Sequence, residues 1–171
     1  MTATSISVTL AGPPDRPALM RVLAEMGDFY DEVLGHTRLV AAAEALTSPA
    51  NRAGPFCLIG RAGDEPAGLV SLSGFFPARD FTWGLLLRDI FVMEAHRGTR
   101  AARALMRGAM RFAVAGDYSR VEWGTGEENL RARAFYAKLG AAPLARLSYR
   151  FEDQVLADAA EGRWPVPEEE T

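Results

Sequence analysis

Residues Leu85 to Met110 read LLLRDIFVMEAHRGTRAARALMRGAM. The run begins as a strand that is apolar nearly throughout, turns at His96–Thr99, and continues as a helix whose first turn is rich in small residues and arginine. Backbone N–H groups at a helix N-terminus point outward, and the helix dipole favours negative charge there. Arg97, Arg100 and Arg103 crowd the same place. Gly98 permits backbone geometry that other residues resist. Ala101 and Ala102 are small enough to admit a ligand, and Thr99 can cap the helix or donate to a phosphate. The pattern reads as a short pyrophosphate cradle. A Walker A loop would end in Gly-Lys-Ser/Thr, and a dinucleotide fingerprint would place three spaced glycines after the first strand; neither stands here.

Two features extend this stretch. Arg100, Arg103, Arg107 and Arg111 recur at helical spacing and share one face, opposite Ala102, Leu105, Ala109 and Phe112. Arg107 and Arg111 read as an ordinary solvated face, while Arg100 and Arg103 lie near enough to the cradle to neutralise phosphates. In the strand, Arg88-Asp89 interrupts LLL…IFVM. Charges inside a central strand are costly unless paired or used. Neighbours on a strand point to opposite faces, so these two do not simply pair with each other. Each needs a partner elsewhere, or one faces a polar cleft.

Outward from this core, SISVTL (Ser5–Leu10) alternates as a half-buried strand does. Asp15 is placed to cap a helix beginning near Pro17 and ending at Gly35, with an acidic far end. A second helix is expected over Arg38–Leu46. Pro55–Ala62 and Ala67–Phe76 read as a hairpin about the Gly63–Pro66 turn, with a loop over Pro77–Trp83 and a third strand over Gly84–Met93. Thr99–Ala115 is a helix, Arg120–Thr125 a strand, Asn129–Leu139 a helix and Ser148–Glu152 a last strand. The acidic tail 153–171 reads as a short helix with a frayed end. No internal repeat or long linker splits the chain. One mixed α/β domain over 1–171 is expected, its core at about 5–152.

Composition narrows the chemistry. The 171 residues suffice for a buried core, and a net charge of −3 offers no global field for nucleic acid. Two histidines and Cys57 cannot build a metal site of the usual ligand count. A single cysteine also excludes an internal disulfide, which fits a cytoplasmic protein. No apolar run is long enough for a membrane span, and MTATSISVTLAG lacks the pattern of a secretory signal.

The third element is Glu127–Ala141, EENLRARAFYAKLGA. Asn129, Arg133 and Tyr136 share one face of its helix; Ala132, Phe135 and Leu139 share the face expected to meet the core. Tyrosine on the polar side of a helix can protonate a leaving group such as a thiolate, although in isolation it reads as an amphipathic edge residue.

Together these residues resemble the GNAT superfamily of acetyl-CoA-dependent N-acetyltransferases. The cofactor motif, Arg/Gln-x-x-Gly-x-Gly/Ala, stands as Arg97-Gly98-Thr99-Arg100-Ala101-Ala102, with Arg100 in place of the central glycine. The second motif, an Asn opening a helix that holds Phe-Tyr and ends in Leu-Gly-Ala, stands as Asn129, Phe135-Tyr136 and Leu139-Gly140-Ala141. The resemblance spans roughly 55–152. Leu85–Gly98 looks most like the diamine (spermidine/spermine) and thialysine acetyltransferase branch. That branch has an acidic residue directly before the conserved Asp, where this chain has Arg88. A guanidinium there would repel a polycation.

The resemblance implies a mixed, mostly antiparallel sheet with helices on both faces and a splayed central strand pair. It implies acetyl-CoA as donor and a small-molecule primary amine, best a zwitterion, as acceptor. Backbone groups of Ile90, Phe91 and Val92 would hold the pantetheine arm, Arg97, Gly98, Thr99, Arg100, Ala101, Ala102 and Arg103 the pyrophosphate, and Asn129 the arm again. Tyr136 would be the general acid. Asp89, Glu122, Glu127 and Glu128 are the candidates for the base, and Arg88, Asp89 and Glu122 for acceptor contacts. Cys57 as nucleophile is disfavoured, because no histidine lies in a motif that would activate it. A peptide acceptor, with the acidic first helix as docking face, and a non-catalytic acyl-CoA sensor are the alternatives. The family's habit is a homodimer.

Overall fold

Alternation in Ser5–Leu10 and apolar runs further on become five strands: β1 (Ile6–Leu10), β2 (Phe56–Ala62), β3 (Glu65–Phe75), β4 (Gly84–Val92) and β5 (Val121–Glu122). They form one sheet in that order. β1 to β4 pair antiparallel, and β5 joins β4 in parallel, so the sheet is mixed and mostly antiparallel. The computed structural model describes residues 5–32, 34–49, 51–78 and 81–164. Parts of the expected loop 77–83 and of the acidic tail, at 79–80 and 165–171, lie outside the described residues. The chain divides into two compact units, Met1–Gly124 and Thr125–Thr171.

The first unit carries the sheet with helices on both faces. α1 (Arg16–Phe29) and α2 (His36–Leu46) cover one face. Leu19, Val22 and Leu23 of α1 and Ala43 of α2 pack with Cys57 and Ile59 of β2, Leu69 of β3 and Phe91 of β4. α3 (Ala101–Ala115) covers the other. A side chain at Gly108 would strike Val8, and one at Gly60 would press on Leu105. β2 thus turns Cys57 and Ile59 to α1 and Leu58 and Gly60 to α3, which is why its sequence is apolar on both phases. Burying each large aliphatic side chain of this kind contributes roughly 1.5–3 kcal/mol.

Several expectations shift. α1 stops at Phe29, and Asp31 adopts a left-handed φ of 56°. Gly35 therefore does not end α1; it is the N-cap of α2, which starts two residues before the expected Arg38. Asp15 does not cap α1 with its side chain. Its carboxylate turns back to accept from the Gly12 N–H at 2.9 Å and from Arg61 at 2.7 Å. β5 keeps only two residues of the expected Arg120–Thr125.

The second unit holds α4 (Leu130–Lys138) and α5 (Asp153–Ala160), the latter being the short helix expected in the tail. Ser148–Glu152 is not a strand. Its alternating pattern finds no ladder partner among the described residues, and Tyr149 is 89% exposed. An extended segment without a ladder leaves its backbone to water. The expected core face of α4 is only half-buried at Ala132, Phe135 and Leu139.

Candidate functional site

β4 carries the two charges that the sequence made conspicuous. Its register with β3 pairs Ser71 with Asp89 but Leu72 with Leu87. Arg88 has no residue opposite it and is the extra residue of a β-bulge. The bulge resolves the cost of charge inside a strand. Arg88 is exposed, with no ion-pair partner among the described residues, and Asp89 is half-buried with the Ser71 hydroxyl donating to its Oδ2 at 2.5 Å.

Beyond the bulge no strand pairs with the far side of β4 among the described residues. β5 pairs with β4 only at Leu85 and Leu86, where the Leu85 N–H donates to the Arg120 carbonyl at 2.9 Å. At the other end the Met93 N–H donates to Ala67 of β3 at 3.0 Å. Backbone groups alternate sides along an antiparallel strand. Phe91 therefore turns its backbone to β3, whereas Ile90 and Val92 turn theirs to the side that β5 has left. The Phe91 ring lies in the core, 4% exposed.

The turn after β4 is held at several points. The Glu94 N–H donates to Glu25 Oε1 of α1 at 2.6 Å. Gly98 has a left-handed φ of 76°, and a Cβ there would meet nothing within 4 Å. Thr99 Oγ1 donates to the His96 carbonyl at 2.6 Å and accepts from the Ala101 N–H at 3.1 Å, so it takes up the first N–H of α3 from the position before the N-cap. Ala101 is fully buried. Arg100 is the N-cap residue, and its carbonyl takes the Ala104 N–H at 2.9 Å. The N–H groups of Ala102 and Arg103 thus lie ahead of the helix's own ladder. The side chains of Arg100 and Arg103 are exposed. An open left-handed glycine, unladdered N–H groups and two exposed guanidiniums fit a diphosphate.

Arg97 departs from a simple phosphate contact. Its guanidinium lies over the rings of Phe29, at 4.8 Å, and Phe91, at 5.6 Å. Its Nε donates to the Val92 carbonyl at 3.2 Å. It ties the end of α1 to the end of β4.

The acetyltransferase (GNAT) family matches residues 21–141. This chain belongs to the GNAT acetyltransferase family. Solved structures share the GNAT fold with it. An integron cassette protein from the mobile metagenome of V. cholerae superposes with a TM-score of 0.78 at 22% identity, over 92% of this chain and 98% of that one. An aminoglycoside N-acetyltransferase, AAC(6')-Iy in complex with CoA, gives 0.72 at 14% identity, over 86% and 95%. A ribosomal-protein-alanine N-acetyltransferase from Brucella melitensis biovar Abortus 2308 gives 0.66 at 19% identity, over 86% and 100%. No curated protein matches the chain.

The remaining candidate residues have their own surroundings. Glu122 on β5 pairs with Arg120 Nε at 2.7 Å, and that guanidinium sits over Phe75. Burial, with the charges of Asp15 and Asp89 adding to it, pushes the Cys57 thiol up to about 12. At neutral pH it is a buried thiol, not a nucleophile. In the second unit Asn129 is the N-cap of α4, its Oδ1 accepting from the Ala132 N–H at 3.0 Å, which leaves its Nδ2 to donate. Tyr136 is half-buried beside Phe135, ring centroids 5.5 Å apart.

Sequence reasoning missed Ser71, Phe29 and Glu25. Ser71 did leave a signal: a hydroxyl in the apolar run AGLVSLSGFF demands a partner when buried. The structure also contains a cavity of about 390 Å³ between β1 and α3, lined by Val8, Leu58 and Arg107 among others. It lies at the sheet edge opposite β5, and none of the expected site residues lines it. Among the described residues no cluster of His, Cys, Asp and Glu is placed to hold a metal, and no helix is long and apolar enough to cross a membrane.

Proposed function

We propose that this chain is a single-domain, acetyl-CoA-dependent N-acetyltransferase, and that its acceptor is the primary amine of a small molecule that also carries a carboxylate or phosphate. One observation carries the acceptor class: the β4 bulge sets an exposed guanidinium, Arg88, directly before a tethered carboxylate, Asp89. An ammonium suits Asp89 and an anionic group suits Arg88. The resemblance of Leu85–Gly98 to the diamine acetyltransferase branch supports an amine acceptor, while Arg88 argues against a polycation. A homodimeric, cytoplasmic enzyme is part of the same proposal and rests on the resemblance.

Acetyl-CoA supplies the acetyl group as a thioester. Gly98–Arg103 would hold its diphosphate through backbone N–H groups and the Arg100 and Arg103 side chains. The backbone groups of Ile90 and Val92 on the open side of β4 would bind the pantetheine arm, with Phe91 beneath them and Arg97 bracing the strand end. The amide of Asn129 would make a further contact to the arm. Asp89 would orient the acceptor ammonium and take its proton, directly or through water. Glu122 is a weaker candidate for that base because Arg120 already engages it. Tyr136 would give its phenolic proton to the departing thiolate.

A CoA-release assay over amino acids, polyamines, aminoglycosides and peptides tests the acceptor. Amines that carry an anionic group should turn over fastest. Preference for polyamines overturns the zwitterion, preference for peptides favours the protein-acetylating alternative, and no release with any amine favours a binding module. In the same assay Tyr136→Phe should lower kcat by about 10²-fold or more while acetyl-CoA affinity stays nearly unchanged. Unchanged turnover removes Tyr136 from the mechanism.

A further inference from the structure

Three strands bring a row of small polar groups together on the α1 face of the sheet. The register sets Cys57 of β2 opposite Ser71 of β3, and Ser71 opposite Asp89 of β4. Ser71 is 8% exposed, and a hydroxyl that deep must spend its proton on a partner. Cys57 does not compete for Asp89, because its thiol turns to the Leu58 carbonyl at 3.8 Å. The Ser71 proton goes to Asp89 Oδ2 at 2.5 Å, at the short end of charge-assisted O–H···O⁻ bonds. Asp89 is half-buried, and its Oδ1 takes no donor among the described residues. One carboxylate oxygen is tethered and the other is offered.

We propose that Ser71 is a positioning residue for Asp89: its hydroxyl fixes the carboxylate so that Oδ1 is presented to the acceptor ammonium. The bulge at Arg88 makes this necessary. It frees β4 from strict alternation at the residue before Asp89, and a carboxylate beside such an irregularity would otherwise rotate among several rotamers. Holding a reacting group in one orientation is worth rate, and a small misplacement costs it. This inference rests on the reading of Asp89 as an acceptor-side residue.

The test uses the full chain and the best acceptor from the CoA-release panel. Initial rates are compared for Ser71→Ala, Ser71→Thr, Asp89→Asn and the Ser71→Ala/Asp89→Asn double variant, with melting temperatures as a check on folding. Ser71→Ala should lower kcat/KM for the amine by about 10- to 100-fold while KM for acetyl-CoA changes little. Ser71→Thr, which keeps the hydroxyl, should recover most of the loss. In the Asp89→Asn background Ser71→Ala should add nothing further, because residues that act through one another are not additive. Ser71→Cys, close in size with a weak donor, carries the comparison if the alanine variant melts early. An unimpaired Ser71→Ala beside an impaired Asp89→Asn overturns the tether alone. So does a Ser71→Ala loss that persists undiminished in the double variant, or one that threonine fails to recover. Asp89→Asn at the wild-type rate overturns the acceptor-side reading of Asp89 and the tether with it.

Discussion

β2 and β4 are both apolar strands covered on both faces, and they end up with opposite duties. β2 is paired along both edges, and its ladder with β3 shifts only at its end, between Gly60 and Arg61. Its lone charge, Arg61, is matched by Asp15 at 2.7 Å. β4 is paired fully on one edge only, and it carries its bulge and both charges in mid-strand. A strand with two satisfied edges has nothing left to offer a ligand. A strand with an open edge still has hydrogen-bonding groups to give, and a bulge aims side chains that a regular pleat would bury. The same apolar composition thus makes a pillar in one place and a candidate binding surface in the other.

The sharpest way to break that contrast is to damage each strand in turn. Ile59 is fully buried in the middle of β2. Ile59→Ala should cost about 2–5 kcal/mol by denaturant unfolding, while the molecules that remain folded keep near-normal turnover. Arg88→Ala, on the exposed bulge, should shift stability by no more than about 0.5 kcal/mol and change acceptor KM instead. If the Arg88 variant loses as much stability as the Ile59 variant, the bulge is a structural joint, and the division of labour between the two strands fails.

The contrast also explains what could be read in advance. β1, β2 and β4 fall within a residue or so of their expected limits, because alternation and apolar runs are local properties of a strand. The strand–turn–helix at Leu85–Met110 was visible for the same reason, since glycine, threonine and small residues at a helix start are neighbours in sequence. The bulge was not visible. It is a mismatch between two strands, and nothing in β4 alone says which residue of β3 lies opposite. Ser71 and Asp89 meet across that register, and Arg97 meets Phe29 from a helix nearly seventy residues earlier. The charges at Arg88 and Asp89 were conspicuous, yet their partners were not, because pairing depends on fold and oddity depends only on pattern. Ser148–Glu152 shows the reverse error: a strand-like pattern without a ladder partner remains irregular.

A smaller effect sharpens the comparison between the two carboxylates tied to these strands. Asp89 is read here as kept for the acceptor, whereas Asp15 is spent on structure at the end of β2. Burial pushes the Asp15 carboxyl up, but the Gly12 N–H and the Arg61 guanidinium outweigh it, so it lies below the ordinary carboxylate value. A carboxyl that holds its proton less tightly when folded stabilises the fold above its unfolded pKa of about 3.9, and that contribution is lost as pH falls through the lower folded value. Asp15→Asn should therefore cost on the order of 1 kcal/mol near neutral pH. The gap between wild type and variant should narrow once pH drops below about 4, as wild-type Asp15 takes up its proton. Unfolding midpoints measured from neutral pH down to about pH 3 check this directly. A gap that stays constant over the whole range would mean that Asp15 acts through shape and hydrogen bonding rather than charge, and the parallel between the two carboxylates would then rest on geometry alone.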